Sequence, residues 1–148
     1  GLGDVYKRQD EGKQELADIL PIYCKVLLQK DYKKYLAEII IDGYTDTDGD
    51  YDYNLELSQK RSLAVAQYLT EIRENFLSSD EISELQNYLT VNGHGSANPV
   101  LDSDGNVDKD ASRRVEVKFR LKDDEMINEL NQIMNTDKTS DSEKSGSN

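Results

Sequence analysis

The sequence predicts an α+β fold, a two-layer α/β sandwich with helices on one face of a small mixed sheet. Three observations predict it. Leu16, Ile19, Leu20, Tyr23, Val26 and Leu27 recur at spacings of three and four, which lays one apolar stripe along a helix. The run Tyr35 to Asp42, with three consecutive isoleucines, reads as a strand buried on both faces and therefore central in a sheet. Val115, Val117, Phe119 and Leu121 alternate with Glu116, Lys118 and Arg120, a period-two strand with one buried face. In 148 residues, helices that alternate with short strands in this way suit one layered domain and hardly two.

Taken in order, residues 1–9 do not match the rest. They look like a translated adaptor stretch at the end of a fragmentary assembled gene, and they are set aside from the fold. The domain is expected over residues 10–135, with its first strand missing or replaced. The first helix should be kinked or restarted at Pro21, which lacks an N–H and crowds the preceding turn. Gly43 to Asp52 is a loop, followed by a long helix to about Asn75 with Leu55, Leu57, Val65, Tyr68, Leu69 and Ile72 as core positions.

Ser79-Asp80 reads as the N-cap of a short helix ending at Tyr88. Leu89 to His94 is a second short strand, and Gly95 to Ala111 a long polar loop. After the alternating strand, Asp123 to Asn135 forms a terminal helix carrying Met126, Ile127, Leu130, Ile133 and Met134 as packing residues. Residues 136–148 lack apolar side chains and are expected to be disordered.

Composition excludes several functions. A formal net charge of −12 repels nucleic-acid backbones, and the basic pairs are scattered among acids. No run of about 18 apolar residues is present to span a membrane. The single cysteine, Cys24, lies at an apolar helical position and reads as a buried structural thiol. With one cysteine and one histidine, His94, there is little material for a zinc site. No cofactor is implied.

The stretch Ile39 to Asp46 and the helix that follows to Arg61 carry the candidate site. An aspartate at a strand end and an arginine on the next helix would face one another across a pocket. A carboxylate and a guanidinium so placed grip a zwitterion. A plain structural role is open to each: Asp46 as a loop cap, Arg61 as a solvated helix charge.

Three separated motifs resemble the OmpA/MotB C-terminal family of peptidoglycan-binding domains. The first is Gly43-Tyr44-Thr45-Asp46-Thr47-Asp48-Gly49 with Tyr53-Asn54, Leu57-Ser58 and Arg61. The second is Gly93-His94-Gly95-Ser96-Ala97-Asn98-Pro99, and the third Ser112-Arg113-Arg114-Val115-Glu116. The resemblance runs from about Gly12 to Leu121. Ser62 stands where the family has alanine. Ser112 stands where it has asparagine, which bears on a loop-anchoring hydrogen bond and not on the main pocket.

The resemblance implies a non-catalytic domain that clasps the diamino acid of the peptidoglycan stem peptide. Asp46 would accept from that residue's ammonium group, and Arg61 would pair with its carboxylate. Tyr44, Thr45, Asn54 and Leu57 would support the pocket, with Tyr44 packing beside it. Arg113 would stand at the edge, one of Arg113 and Arg114 serving as a structural ion-pair partner. The resemblance also implies a place in the cell envelope, a parent protein anchored in a membrane by a missing N-terminal segment, and, as in stator-type relatives, a homodimer.

Two rival classes compete with this reading. A calcium module would use the alternating acids Asp46, Asp48, Asp50 and Asp52, or Asp102, Asp104, Asn106, Asp108 and Asp110. An EF-hand loop, however, needs glycine sixth and glutamate twelfth. Here glycine comes fourth, and the twelfth positions are Leu57 and Arg113. A wall hydrolase would need a metal cluster, an activated nucleophile or a placed carboxylate pair, and no arrangement of that kind is recognisable.

Overall fold

Backbone pairing joins four strands in the order β1-β4-β2-β3. In this computed structural model, which describes residues 2–7, 9–29, 31–122 and 128–136, the elements along the chain are β1 (Leu2–Lys7), α1 (Gln9–Leu27), β2 (Leu36–Gly43), α2 (Tyr51–Ile72), α3 (Ser79–Tyr88), β3 (Leu89–Gly93), α4 (Lys109–Ser112) and β4 (Arg114–Leu121). A further helix, α5, covers 128–136. The sheet is mixed: β2 runs parallel to β3, while β4 lies antiparallel to both β2 and β1.

The segment set aside as a lead-in supplies β1, paired from Leu2↔Phe119 to Lys7↔Arg114. It fills the sheet edge where a missing or replaced strand was expected. Ladder bonds join backbone groups and demand little of the side chains, so composition gave no sign of it.

The register sets two faces. Ile39 stands opposite Phe119, Ile41 opposite Val117 and Gly43 opposite Val115. These side chains meet the helices: Ile39, Ile41, Val115, Val117 and Phe119 are buried with Leu20, Tyr23, Cys24 and Leu27 of α1. Tyr23 stacks on Phe119 at 5.0 Å between ring centroids. Burial in that apolar setting raises the Cys24 thiol to about 12, with the Glu81 charge adding to it, so it stays protonated and inert.

The other face corrects the expectation of a strand buried on both sides. Ile40 is only half-buried and stands opposite Lys118 and Thr90. Its neighbours are ion pairs: Arg120 with Glu38 at 3.1 Å, and Lys118 with Glu116 at 2.9 Å and Asp42 at 3.5 Å.

Other boundaries shift for physical reasons. Helix α1 runs through Pro21 without a restart. An interior proline costs about 3 kcal/mol, and burial of Leu20, Tyr23, Cys24 and Leu27 offsets it. The cap of α3 is Ser78, one residue before the expected Ser79-Asp80. Its hydroxyl accepts from Glu81 N while the Glu81 carboxylate accepts from Ser78 N, a reciprocal capping box.

Thr136, assigned by sequence to the tail, is still helical and donates through Oγ1 to Gln132 O. In α5, Leu130 and Met134 are buried. Met126, Ile127 and the tail from 137 onward lie outside the described residues.

Helix α2 bears out Leu69, which is buried in the core with Val65, Tyr68 and Ile72 packed against it, but its first turns meet the sheet through small residues rather than the expected Leu55 and Leu57. Asn54, Ser58, Ser62 and Ala66 are buried at intervals of four, whereas Leu55 is 37% exposed. The reason is backbone proximity. A Cβ on Gly43 would come 2.3 Å from both Ser58 O and Ser62 Oγ, and one on Gly93 would come 2.5 Å from Gln59 N. Only glycines on β2 and β3, facing serines on α2, permit so close an approach.

Candidate functional site

The close packing of α2 brings its first turns beside the end of β2. Two hydroxyls hold the seam. Ser62 Oγ, where the family has alanine, lies 2.6 Å from Asn92 O and 3.1 Å from Ser58 O, and Ser58 Oγ accepts from Gly95 N at 2.9 Å. The three expected motifs converge here, because Thr45 N donates to Gly95 O and Tyr44 N to Arg114 O.

Between the loop after β2 and the start of α2 lies an open depression of about 350 Å³. Its walls include Thr45, Asp46, Asn54, Leu57, Arg61 and Arg113, together with Asp48, Gly49 and Tyr53. Asp46 and Arg61 thus share one pocket. Asp46 Oδ2 is 2.7 Å from Arg113 Nη1, and Oδ1 accepts from Asp48 N at 2.9 Å. Arg61 Nη1 donates to Tyr44 O at 3.2 Å, which ties the guanidinium to the strand end.

Burial alone would raise the Asp46 carboxyl. The Arg113 and Asp48 hydrogen bonds and the positive charges of Arg113 and Lys109 outweigh burial and hold it below the usual carboxylate range. The group is therefore anionic at neutral pH. Arg113 is correspondingly raised, chiefly by its hydrogen bond to Asp46.

The supporting residues divide in two. Asp50 caps α2 by accepting from Tyr53 N, and Asn54 Nδ2 donates to Asp48 O at 2.9 Å, so the acidic loop is stitched to the helix. Thr45 is buried, with Oγ1 donating to Asp46 O. Tyr44 does not line the depression. It is buried on the far face of the sheet, stacked on His94 at 4.8 Å, with the Arg114 guanidinium 4.0 Å over its ring.

The adjacent arginines separate accordingly. Arg114 is buried and bonds to Glu116, Ser112 O and Asn98 O, a structural role, while Arg113 faces the pocket. His94 Nε2 lies 2.8 Å from Asp42 Oδ1.

Ser112 corrects the concern attached to it. Fully buried, its Oγ accepts from Val100 N at 2.9 Å and donates to Asp108 O at 2.6 Å, so serine makes the loop-anchoring bonds here.

The calcium reading finds no convergent ligands. Asp102 Oδ1 accepts from Asp104 N and Asn106 N, and Asp108 Oδ1 accepts from Ala111 N to cap α4. In the first loop Asp48 pairs with Lys109 at 3.0 Å. Among the described residues no group of three or more His, Cys, Asp or Glu is arranged to hold a metal ion. Alternating acids in these loops make turns and caps.

Asp48, Gly49 and Tyr53 were not singled out as site residues by sequence. All three stand within the first motif, and the sequence offered Asp48 only as a calcium ligand. Asp48 joins because its carbonyl is held by Asn54.

Comparison with known proteins bears on the family and the fold. The model of the OmpA family matches residues 11–113. A Zorya protein ZorB of Escherichia coli O139:H28 (strain E24377A / ETEC) is 36% identical over 119 residues, covering 76% of this chain and 46% of that protein. The chain thus spans about half the length of the curated relatives it matches.

Among solved structures, the C-terminal domain of Helicobacter pylori MotB superposes with a TM-score of 0.60 at 19% identity, over 93% of this chain and 98% of that one. The peptidoglycan-associated lipoprotein from Burkholderia pseudomallei gives 0.51 at 24% identity, over 78% and 82%. At these identities the two structures speak for the fold alone.

Proposed function

The chain belongs to the OmpA family, and on that premise we propose that it binds bacterial peptidoglycan without cutting it, anchoring a larger envelope protein to the cell wall. The ligand is the diamino acid of the stem peptide. Its ammonium group goes to Asp46 and its carboxylate to Arg61. The parent protein is anchored in a membrane by a segment outside this chain.

One observation carries the reading: Asp46 and Arg61 line the same open depression, one from the loop after β2 and one from α2. A carboxylate offers about four lone-pair sites. Arg113 and the Asp48 amide engage Asp46 without exhausting that capacity, and they keep it charged. A guanidinium meets a carboxylate with two parallel N–H bonds, which adds orientation to attraction. Asn54 and Thr45 hold the loop, and Leu57 supplies an apolar wall for the ligand's methylene chain.

The test is co-sedimentation with purified peptidoglycan. Asp46→Ala and Arg61→Ala should each abolish binding while circular dichroism stays native, since truncating one partner of a desolvated charge pair costs about 2–5 kcal/mol. Binding retained in both variants rejects the assignment. Release of soluble muropeptides that depends on Asp46 rejects the non-catalytic reading.

A further inference from the structure

His94 stands in the second motif but does not line the depression. Its ring lies on the sheet face away from the helices, stacked on Tyr44 at 4.8 Å with 14° between the ring planes. The ring is held at its other edge as well. Nε2 is 2.8 Å from Asp42 Oδ1, and Asp42 is itself held by Asn92 Nδ2 at 3.1 Å and Lys118 Nζ at 3.5 Å.

The peptide unit between Tyr44 and Thr45 joins that face to the pocket. Its carbonyl, Tyr44 O, accepts from Arg61 Nη1 at 3.2 Å, and its amide, Thr45 N, donates to Gly95 O at 2.7 Å. Strand β2 ends at Gly43, so these contacts orient the unit rather than a continuing ladder. His94 reaches it by two routes. One runs through the Tyr44 ring: a side chain locked by packing restricts its own backbone, because rotamer and φ/ψ are coupled. The other runs through Gly95, the next residue in the chain, with His94 N anchored on Gly43 O at 2.9 Å.

A binding group must be held within roughly 0.5 Å of its productive position. A guanidinium that meets a carboxylate with two parallel bonds is sensitive to tilt as well. The Tyr44 carbonyl fixes one end of the Arg61 fork, so whatever fixes that carbonyl sets the tilt.

We propose that His94 is a positioning residue for Arg61: by holding Tyr44 and Gly95 it sets the peptide unit whose carbonyl aims the guanidinium at the ligand's carboxylate. The proposal rests on the pocket assignment above and adds to it a group that never touches the ligand.

Nitrogen-resolved NMR of the arginine side chains, together with calorimetric titration of the full chain with a stem peptide carrying the diamino acid, tests it. In the wild-type chain the Arg61 Nη protons should give separate signals, as a guanidinium held by a carbonyl does. In His94→Ala they should merge into an averaged signal, while those of Arg113, held by Asp46, stay as they were. Affinity for the peptide should fall about fivefold, the order of an aromatic pair's contribution. His94→Phe keeps a ring to stack but cannot bond to Asp42, and it should restore both readouts. Asp42 keeps Asn92 and Lys118 in each variant. Should His94→Ala lose its native circular dichroism, Tyr44→Leu removes the other ring of the stack and is read the same way.

Arg61 signals that stay separate in a folded His94→Ala chain overturn the positioning role and leave the pocket assignment standing. Affinity that falls without a change at Arg61, or that His94→Phe does not restore, overturns it too. A wild-type chain that fails to bind the peptide overturns the pocket assignment, and the NMR comparison alone then decides whether His94 holds Arg61.

Discussion

Arg113 Nη1 lies 2.7 Å from Asp46 Oδ2, joining the residue just before β4 to the loop that follows β2. The same guanidinium reaches Asp110 at 3.4 Å, and Lys109 reaches Asp48 at 3.0 Å, so the loop is clipped to the pocket rim. Orientation of the Asp46 carboxylate thus depends on a partner 67 positions away.

Arg113→Ala should leave the chain folded and weaken stem-peptide binding about tenfold, less than loss of Asp46 itself, because the charge remains but its orientation is lost. Titration calorimetry measures this. Unchanged affinity would remove Arg113 from the site.

Gly43→Ala should destabilise the domain by about 1–3 kcal/mol, the usual cost of overpacking. The new methyl would come 2.3 Å from Ser58 O and Ser62 Oγ, so α2 must lift from β2. Because α2 carries Arg61, the surviving folded fraction should also bind peptide more weakly. Denaturant unfolding alongside a binding isotherm separates the two effects.

Ser112→Ala should cost about 1–3 kcal/mol, since the Val100 amide loses its buried acceptor. Hydrogen exchange at Val100 should accelerate, and the loop from residue 95 to 113 should loosen with it. An unchanged exchange rate at Val100 would mean that another acceptor replaces the hydroxyl.

The pH dependence follows from two depressed carboxyls. Burial raises both Asp46 and Glu116. For Asp46 the Arg113 and Asp48 hydrogen bonds prevail over it, and for Glu116 those of Lys118 and Arg114. Each folded-state value lies below its unfolded reference, about 3.9 for Asp and 4.3 for Glu. Their stabilisation is therefore complete above those references and is lost as pH falls through the lower folded values. The stability difference between wild type and Asp46→Asn/Glu116→Gln should be constant above about pH 5 and shrink below about pH 4. A difference that has already disappeared at pH 6 contradicts this.

Much of the fold was legible because burial imposes periodicity. Val115, Val117, Phe119 and Leu121 alternate in the sequence and are buried in the structure, and the stripe ending in Leu20, Tyr23, Val26 and Leu27 does the same for α1. The motifs around Asp46, Gly95 and Arg113 were legible as a family pattern, although nothing in their spacing says that they meet. Leu69 of α2 is buried as expected, but Leu55 and Leu57 at the start of the helix are not, because hydrophobicity identifies core only where side chains fill the gap. Against Gly43 and Gly93 there is no gap to fill, so serine and alanine go inside while Leu55 and Leu63 stay out.

The sequence by itself determined the class of the fold, the family and the two charges on which the proposed binding turns. Tertiary structure alone decided what those charges touch. Asp46 is held by Arg113, Arg61 is tied to the Tyr44 carbonyl, and Arg114 is withdrawn beneath Tyr44 into a structural role. Periodicity reports which face of an element is wet. Which charge meets which depends on distances set when distant elements pack, here by two glycines that let a helix settle onto strand ends.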